Sequence, residues 1–420
     1  MLIFRIYKLI TIIIRPFLFL FFIYRLLKNK EEFGKYSERR GLSLKVKPEG
    51  KIIWIHAASV GETLSTLPLI KKLKELSPKI NIIITTSTKT SKEIIIKKNM
   101  DRVFHQYVPW DNKNFCINFL SQWKPDIAVF LESEIWPNLL YETKRKKIPI
   151  SLINARITNK TYSRWLKFPK TISYLLSFFS LIVAQDNLSK NKLHSLGAKN
   201  IFVYGKLKND SEKLSYNAES FKKYNNYFEQ KDIIVAASTH RGEEKNIVNV
   251  FKSLIKELPD LFLVMAPRHP ERRNEIASLL KKQGFSEKEY LLRSGDNSLN
   301  ENIKIFILDT IGELGYFYEK SKVVVLGGAF GEFGGHNPLE PARFNNAIFS
   351  GPNYFNFKDE YDQLLNIGGV KIISDTSDLH IIKEKKEIKE MAKNSKIYSD
   401  NIGGIAEKIS VKLIGLLNEI

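Results

Sequence analysis

The sequence predicts two doubly wound α/β domains in one chain, and three observations lead there. Short apolar runs rich in β-branched residues alternate with amphipathic helical stretches, the pattern of a parallel sheet covered on both faces. The alternation halts at a polar stretch over 211–230, rich in Tyr, Asn and Lys, and then starts again. Polar motifs follow directly after the apolar runs, where open α/β sheets hold their ligands. A length of 420 residues suffices for two domains with sizeable cores.

The chain opens on an apolar run over 9–24, LITIIIRPFLFLFFIY, flanked by Arg5 and Lys8 before it and by Arg25, Lys28 and Lys30 after it. The run is shorter than the roughly 20 residues of a spanning helix, and Arg15-Pro16 interrupts it. It has no small-residue cleavage site, so a signal peptide is disfavoured. The expectation is a membrane-anchoring segment with a basic flank over 1–45, spanning or lying in the interface, with the basic flank suited to an anionic cytoplasmic leaflet.

Strands are expected next at 51–56, 81–86, 127–131, 148–153, 181–184 and 201–204, with helices at 62–76, 91–99, 112–122, 137–145 and 188–196. These make a first domain over 46–210, and 211–230 is read as a linker or interdomain helix. In the second half, strands are expected at 233–237, 261–266, 304–308, 323–327 and 347–350, and helices at 243–257, 271–282, 311–320 and 338–344. They make a second domain over 231–395, followed by a C-terminal helix over 396–420. The expected architecture has a cleft between the two domains.

Composition narrows the function. Cys116 is the only cysteine, so no intramolecular disulfide forms, which fits a reducing compartment. The seven histidines have no metal-ligand spacing, so no metal centre is expected. Lys and Arg outnumber Asp and Glu by 66 to 45, a net charge of +21, which favours an anionic partner or a solvated lysine surface. No nucleic-acid module is legible. Neither the P-loop nor the dinucleotide glycine fingerprint is present.

The motifs carry the chemistry. HAASVGETL places Ser59 and Glu62 as a capping box that also sets a carboxylate at the mouth of a sheet, where a base could take a proton from a sugar hydroxyl. FLESEIWPN carries Glu132 and Glu134 after another strand, NARIT carries Asn154 and Arg156, and GKLKND carries Lys206 and Lys208. In the second half, ASTHRGEE offers Ser238 and Thr239, PRHPER offers Arg268 and His269, and DTIGEL offers Gly312 and Glu313. The glycine-rich VVVLGGAFGEFGGHNPLEPA ends in Asn337, Pro338 and Glu340, which fit a helix cap as well as a phosphate-binding turn. Four polar strand ends in one domain support an anionic nucleotide there.

In this order, HAASVGE, ESEIWPN, NARIT, AQDN, LGAKN, GKLKND, ASTHRGEE, PRHPER, DTIGEL and GGHNPLEPA resemble the Kdo transferases of Gram-negative bacteria over nearly the whole chain. The resemblance implies a GT-B architecture, with two Rossmann-like domains facing a cleft, the first for the acceptor and the second for the donor. It implies transfer of Kdo (3-deoxy-D-manno-octulosonic acid) from CMP-Kdo to the tetra-acyl, bisphosphorylated lipid A precursor, in lipopolysaccharide core assembly. The family's base matches Glu62, and its assisting residues match Glu132 and Lys208. Its CMP-contacting segments match Arg268 and His269, then Ile311, Gly312 and Glu313, then Asn337, Pro338, Leu339 and Glu340. The implied reaction is an inverting single displacement without metal or cofactor. The implied location is the cytoplasmic face of the inner membrane, with membrane lipids and no nucleic acid as partners. Ala-Ala ahead of Ser59 is a slight departure that leaves the base untouched. Two rivals stand beside this reading: a GT-B enzyme using a UDP-sugar, separated by a donor screen, and a non-enzymatic basic protein, marked by salt-sensitive nucleic-acid binding.

Overall fold

The computed structural model describes residues 2–210, 213–295, 299–374 and 376–419. Residues 211 and 212, where the expected linker begins, lie outside the described residues, as do 375 and 420 in the C-terminal part. The chain divides into two compact units, Met1–Ser211 with Gly403–Ile420, and Glu212–Ile402.

The first unit is built on a parallel sheet of seven strands: β1 (Ile52–His56), β2 (Asn81–Thr86), β3 (Val103–Tyr107), β4 (Ile127–Leu131), β5 (Ile150–Ala155), β6 (Phe179–Ala184) and β7 (Ile201–Val203). Their order is β3-β2-β1-β4-β5-β6-β7, so the winding reverses between β1 and β4, where His56 pairs with Phe130. Alternate side chains of β1 feed two cores. Ile52 and Trp54 join the core on one face, and Ile53 and Ile55 the core on the other.

The second unit repeats this plan with β8 (Asp232–Thr239), β9 (Leu261–Pro267), β10 (Tyr290–Leu292), β11 (Ile305–Ile307), β12 (Val323–Leu326), β13 (Ala347–Ser350) and β14 (Val370–Ile372). The order is β10-β11-β9-β8-β12-β13-β14, all parallel, so the winding reverses between β8 and β12. Ile234 and Ala236 face one core while Ile233, Val235 and Ala237 face the other.

Three strands escape the sequence reading. β3 carries His105 and Gln106 within VFHQY, and β10 and β14 have three residues each at sheet edges. Such segments are too short or too polar for a periodicity argument. The helices Asn159–Leu166, Pro169–Leu176 and Lys358–Asn366 are also additions.

Two boundaries need correction. The stretch read as a linker or interdomain helix forms helical turns over Ala218–Tyr224 and Asn225–Glu229, and its Phe221, Tyr224 and Phe228 are buried in the second unit's core. Polar composition hid three aromatics at helical spacing. The C-terminal helix is two helices, Lys385–Asn401 and Ile405–Asn418, broken at Gly404, which has φ 76°. Residues from Gly403 onward belong to the first unit. Ile405, Ile409, Leu413 and Leu417 pack there with Leu69, Ile70 and Leu73, each buried apolar side chain contributing about 1.5–3 kcal/mol over exposure.

At the N-terminus, Leu2–Ile13 and Leu18–Leu27 are helices separated by a 3-10 turn over Arg15–Phe17, where proline breaks the backbone ladder. Among the described residues no single helix is long and apolar enough to cross a membrane, although this bent pair together has the length and composition. One side of the pair is fastened to the first unit. Phe4 and Phe22 are buried, Tyr7 Oη donates to Asp111 at 2.7 Å, and Asn112 Nδ2 donates to Thr11 O at 2.7 Å. The other side leaves Leu9, Ile13, Phe17, Leu20 and Leu27 exposed.

Candidate active site

In the first unit, polar groups collect at the reversal between β1 and β4. Ser59 caps the helix Val60–Leu76, its hydroxyl accepting from Glu62 N at 3.3 Å. The Glu62 carboxylate closes the box from the other side, accepting Ala58 N–H at 2.7 Å and the Ser59 hydroxyl at 2.9 Å. Glu62 is only 7% exposed. Burial raises its proton affinity; the Ala58 and Ser59 bonds pull it back, and the charges of Glu134 and Glu132 raise it again, to a pKa of about 7. A carboxyl poised near neutrality can accept a proton at physiological pH.

Glu132 follows β4 with a left-handed φ of 51°, its N–H held by Ile153 O at 3.0 Å. Burial raises its pKa, while the charges of Arg156 and Lys208 oppose that rise. Electrostatically, then, Glu62, Glu132 and Lys208 belong to one cluster. Arg156 acts on Glu132 more strongly than Lys208 does, a neighbour that the motif NARIT signalled without a role. Lys208 lies in a 3-10 turn, Leu207–Asp210, positioned where Leu207 N donates to Asn154 Oδ1 at 2.9 Å.

Glu134 and His56 complete the cluster. His56 Nε2 lies 3.6 Å from Glu134 Oε2, and Trp136 Nε1 donates to the same oxygen. Burial works to raise the pKa of Glu134, but His56 and Trp136 outweigh it and hold the carboxyl below its ordinary value. His56 was one of the scattered histidines in the sequence; only its position at the end of β1, beside the reversal, could have marked it.

In the second unit, the site residues lie after β9, β11 and β12. Arg268 and His269 are exposed after β9, with Arg268 N bonded to Thr239 O at 3.0 Å. Ile311 is exposed, and Gly312 takes φ 86°. Glu313 is committed to a fork with Arg293, at 2.9 and 2.7 Å, so its side chain fixes the loop. Asn337 Oδ1 accepts Leu339 N at 3.1 Å, the capping role its sequence suggests. The helix it caps is only Leu339–Ala342, however, too short to carry a substantial dipole, so the expected helix N-terminus is here a single turn. Burial raises the pKa of Glu340, opposed by its bond with Asn337 and by the charges of Arg343 and Arg268. Pro338 and Leu339 are buried.

The glycine loop has another organiser. Glu243, which the sequence reading passed over, accepts N–H bonds from His240 at 2.8 Å, from Gly328 at 2.8 and 3.0 Å, and from Phe330 at 3.3 Å. A Cβ on Gly327 would lie 2.7 Å from Glu243 Oε2, Ser238 O and Thr239 Cα, so close approach of chain to chain demands glycine there. Above the loop, His240 stacks on Phe333 with centroids 4.0 Å apart and meets His336 Nε2 to Nε2 at 3.1 Å. Burial, then His240 and the Arg268 guanidinium, lower the pKa of His336 to about 4. Among the described residues no group of three or more His, Cys, Asp and Glu side chains is arranged to hold a metal ion.

Comparison with known proteins gives this geometry its context. Residues 29–211 match the model of the 3-deoxy-D-manno-octulosonic-acid transferase (kdotransferase) family. A 3-deoxy-D-manno-octulosonic acid transferase of Haemophilus influenzae is 33% identical over 379 residues, covering 89% of this chain and 86% of that protein. One from Rickettsia bellii is 33% identical over 354 residues, 83% of this chain and 82% of that protein. Among solved structures, a putative UDP-N-acetylglucosamine 2-epimerase from Listeria monocytogenes is similar with a TM-score of 0.58 at 14% identity, over 88% of this chain and 98% of that one. That likeness is one of fold, a GT-B-like α/β fold with two parallel sheets. The sequence relatives go further: the chain belongs to the Kdo transferase family of glycosyltransferases.

Proposed function

We propose that this Kdo transferase takes Kdo from CMP-Kdo and attaches it to the tetra-acyl, bisphosphorylated lipid A precursor, with Glu62 as general base. The observation that carries this reading is the Glu62 carboxyl: buried, bonded through Ala58 and Ser59, and raised to a pKa of about 7 beside two further carboxylates. Glu62 accepts the proton of the acceptor hydroxyl as its oxygen forms a bond to the anomeric carbon of Kdo. The bond from that carbon to the CMP phosphate breaks, and CMP departs with the electron pair. A single displacement of this kind inverts the anomeric centre. Lys208, with Glu132, steadies developing charge in the first unit. In the second unit, Arg268 and His269, the backbone of Ile311, Gly312 and Glu313, and the Asn337, Pro338, Leu339 and Glu340 segment hold CMP. The cations Lys208 and Arg268 take the phosphate-steadying role that a metal fills elsewhere, so transfer should persist in EDTA.

The test is transfer from CMP-Kdo, generated in situ, to the lipid A precursor, with products weighed by mass spectrometry and UDP-sugars as competing donors. Transfer only from a UDP-sugar would replace this reading with its rival. Calorimetry of Arg268→Ala and Asn337→Ala with CMP tests the donor residues, with weaker binding expected.

We also propose that the N-terminal helix pair lies in the interface of the inner membrane's cytoplasmic leaflet. Its fastened side supports this, because Tyr7 and Thr11 are engaged by Asp111 and Asn112. Arg15, costly inside a bilayer, lines a small surface pocket with Arg40, Tyr36 and Phe115. Flotation with neutral and anionic liposomes measures the attachment. Deleting residues up to Leu27 should reduce flotation at high salt, and full flotation of the truncated protein would sink the proposal.

A further inference from the structure

The polar atoms around His56 leave one unexplained. His56 is fully buried, and its Nε2 has no hydrogen-bond partner. Its Nδ1 lies 3.0 Å from Thr85 Oγ1 and 3.2 Å from Thr85 O. Trp54 Nε1 donates to that same hydroxyl at 2.9 Å, leaving Thr85 its own proton to give to His56 Nδ1. In that tautomer the ring proton is on Nε2, which faces Glu134 Oε2 at 3.6 Å. Two indole N–H groups and one hydroxyl thus serve a single carboxylate, directly or through the imidazole. Such an arrangement orients an anion; it is more than core packing requires.

The neighbours of that anion make the arrangement consequential. Glu62 feels the charges of Glu134 and Glu132, with Glu134 the stronger of the two. Glu132 is countered by Arg156 and Lys208. Glu134 is countered by the His56 imidazole and the Trp136 N–H. Glu134 and Glu132, at the β4 end, bear on Glu62 directly; His56, at the end of β1, bears on Glu134, and Arg156 after β5 and Lys208 in the turn after β7 bear on Glu132.

We infer that His56 and Glu134 are a positioning pair for Glu62: the imidazole, oriented by Thr85, holds the Glu134 carboxylate as a fixed anion whose charge strengthens the affinity of Glu62 for the acceptor's proton. The inference rests on Glu62 being the base, and it adds a role for two residues that the family resemblance leaves without one. Glu134 acts through Glu62 and takes no proton itself.

The experiment is the pH profile of kcat/KM for transfer by the wild type, Glu134→Gln, Glu134→Asp and His56→Asn, with folding checked by thermal melting. Glu134→Gln should move the acid limb down by about one unit, since removing a like charge from a carboxyl's surroundings lowers its proton affinity. Glu134→Asp should restore the limb, and His56→Asn should move it in the same direction as Glu134→Gln. Infrared titration of the Glu62 carboxyl, assigned by its loss in Glu62→Gln, reads the same shift in any variant too slow to assay. An unmoved limb or carboxyl in folded Glu134→Gln overturns the inference, as does lower turnover with no shift. A wild type that transfers no Kdo sinks the proposed function instead, and a limb that survives in an active Glu62→Gln removes Glu62 as base.

Discussion

Glu62 and Glu243 hold the same place in the two halves of the chain. Each follows a glycine, in SVGE and HRGE, and each lies in the first turn of the helix after the strand, β1 or β8, that flanks the reversal of its sheet. They are buried alike, at 7% and 6% exposure, so burial cannot distinguish them. What differs is the strand on the far side of the reversal. After β12 the chain offers backbone N–H groups at Gly328 and Phe330, and Glu243 is satisfied as the clasp of a glycine loop. After β4 it offers Glu132 and Glu134, and Glu62 is left with two donors and two repelling carboxylates. One scaffold position thus holds a structural clasp in one unit and a carboxyl poised near neutrality in the other, decided by residues far away in sequence.

The largest expected effect breaks this comparison at its reactive end. Glu62→Gln should fold, since glutamine can still accept from Ala58, yet lose about 10²- to 10⁴-fold in kcat, the usual cost of removing a general base. Near-normal transfer by the folded variant would reduce Glu62 to a second clasp.

The same substitution has a signature in stability. Between its ordinary value of 4.5 and its folded value of about 7, Glu62 keeps a proton in the folded protein that the unfolded chain has released. Folded stability must therefore fall as pH rises through that window, by at most about 3 kcal/mol. Glu62→Gln removes the group, so its melting temperature should gain on the wild type between pH 5 and pH 8. A constant difference across that range would mean that burial does not raise Glu62 as described.

The two carboxylates were not equally legible in the sequence. Glu62 announced itself through S-x-x-E, a local signal, and the capping box formed as spelled. Glu243 makes its decisive bond to Gly328, 85 residues on, and no local pattern encodes that pairing. His56 looked like one more scattered histidine until β1 paired with β2 and set it against Thr85. The two-sheet plan was readable because its central strands are long and apolar. The edge strands β3, β10 and β14, and the return of the last helix to the first unit, depend on tertiary packing that overrides composition.

Glu243→Gln probes the clasp. Its amide NH₂ would face a backbone N–H that the carboxylate now satisfies, leaving a buried donor unpaired at a cost of about 1–3 kcal/mol. Melting should drop accordingly and CMP affinity should weaken as the glycine loop loosens, while the acid limb of the pH profile stays where it is. A shift of that limb would show that Glu243, too, bears on proton transfer.

The smallest effect is the most discriminating. Ser59→Ala removes the helix cap, costing about 1 kcal/mol of stability. It also removes the hydroxyl that donates to Glu62 Oε1 at 2.9 Å and now restrains its proton affinity. The acid limb should therefore move to higher pH, opposite to the shift expected of Glu134→Gln, although both changes delete one polar neighbour of the same carboxyl. Glu243 has no counterpart to this test, because the groups that hold it are backbone N–H. Side-chain donors leave a carboxyl open to adjustment by substitution, whereas backbone donors fix it. If Ser59→Ala loses stability and leaves the limb unmoved, the Ser59 hydroxyl is only a cap, and the balance of forces assigned to Glu62 is wrong.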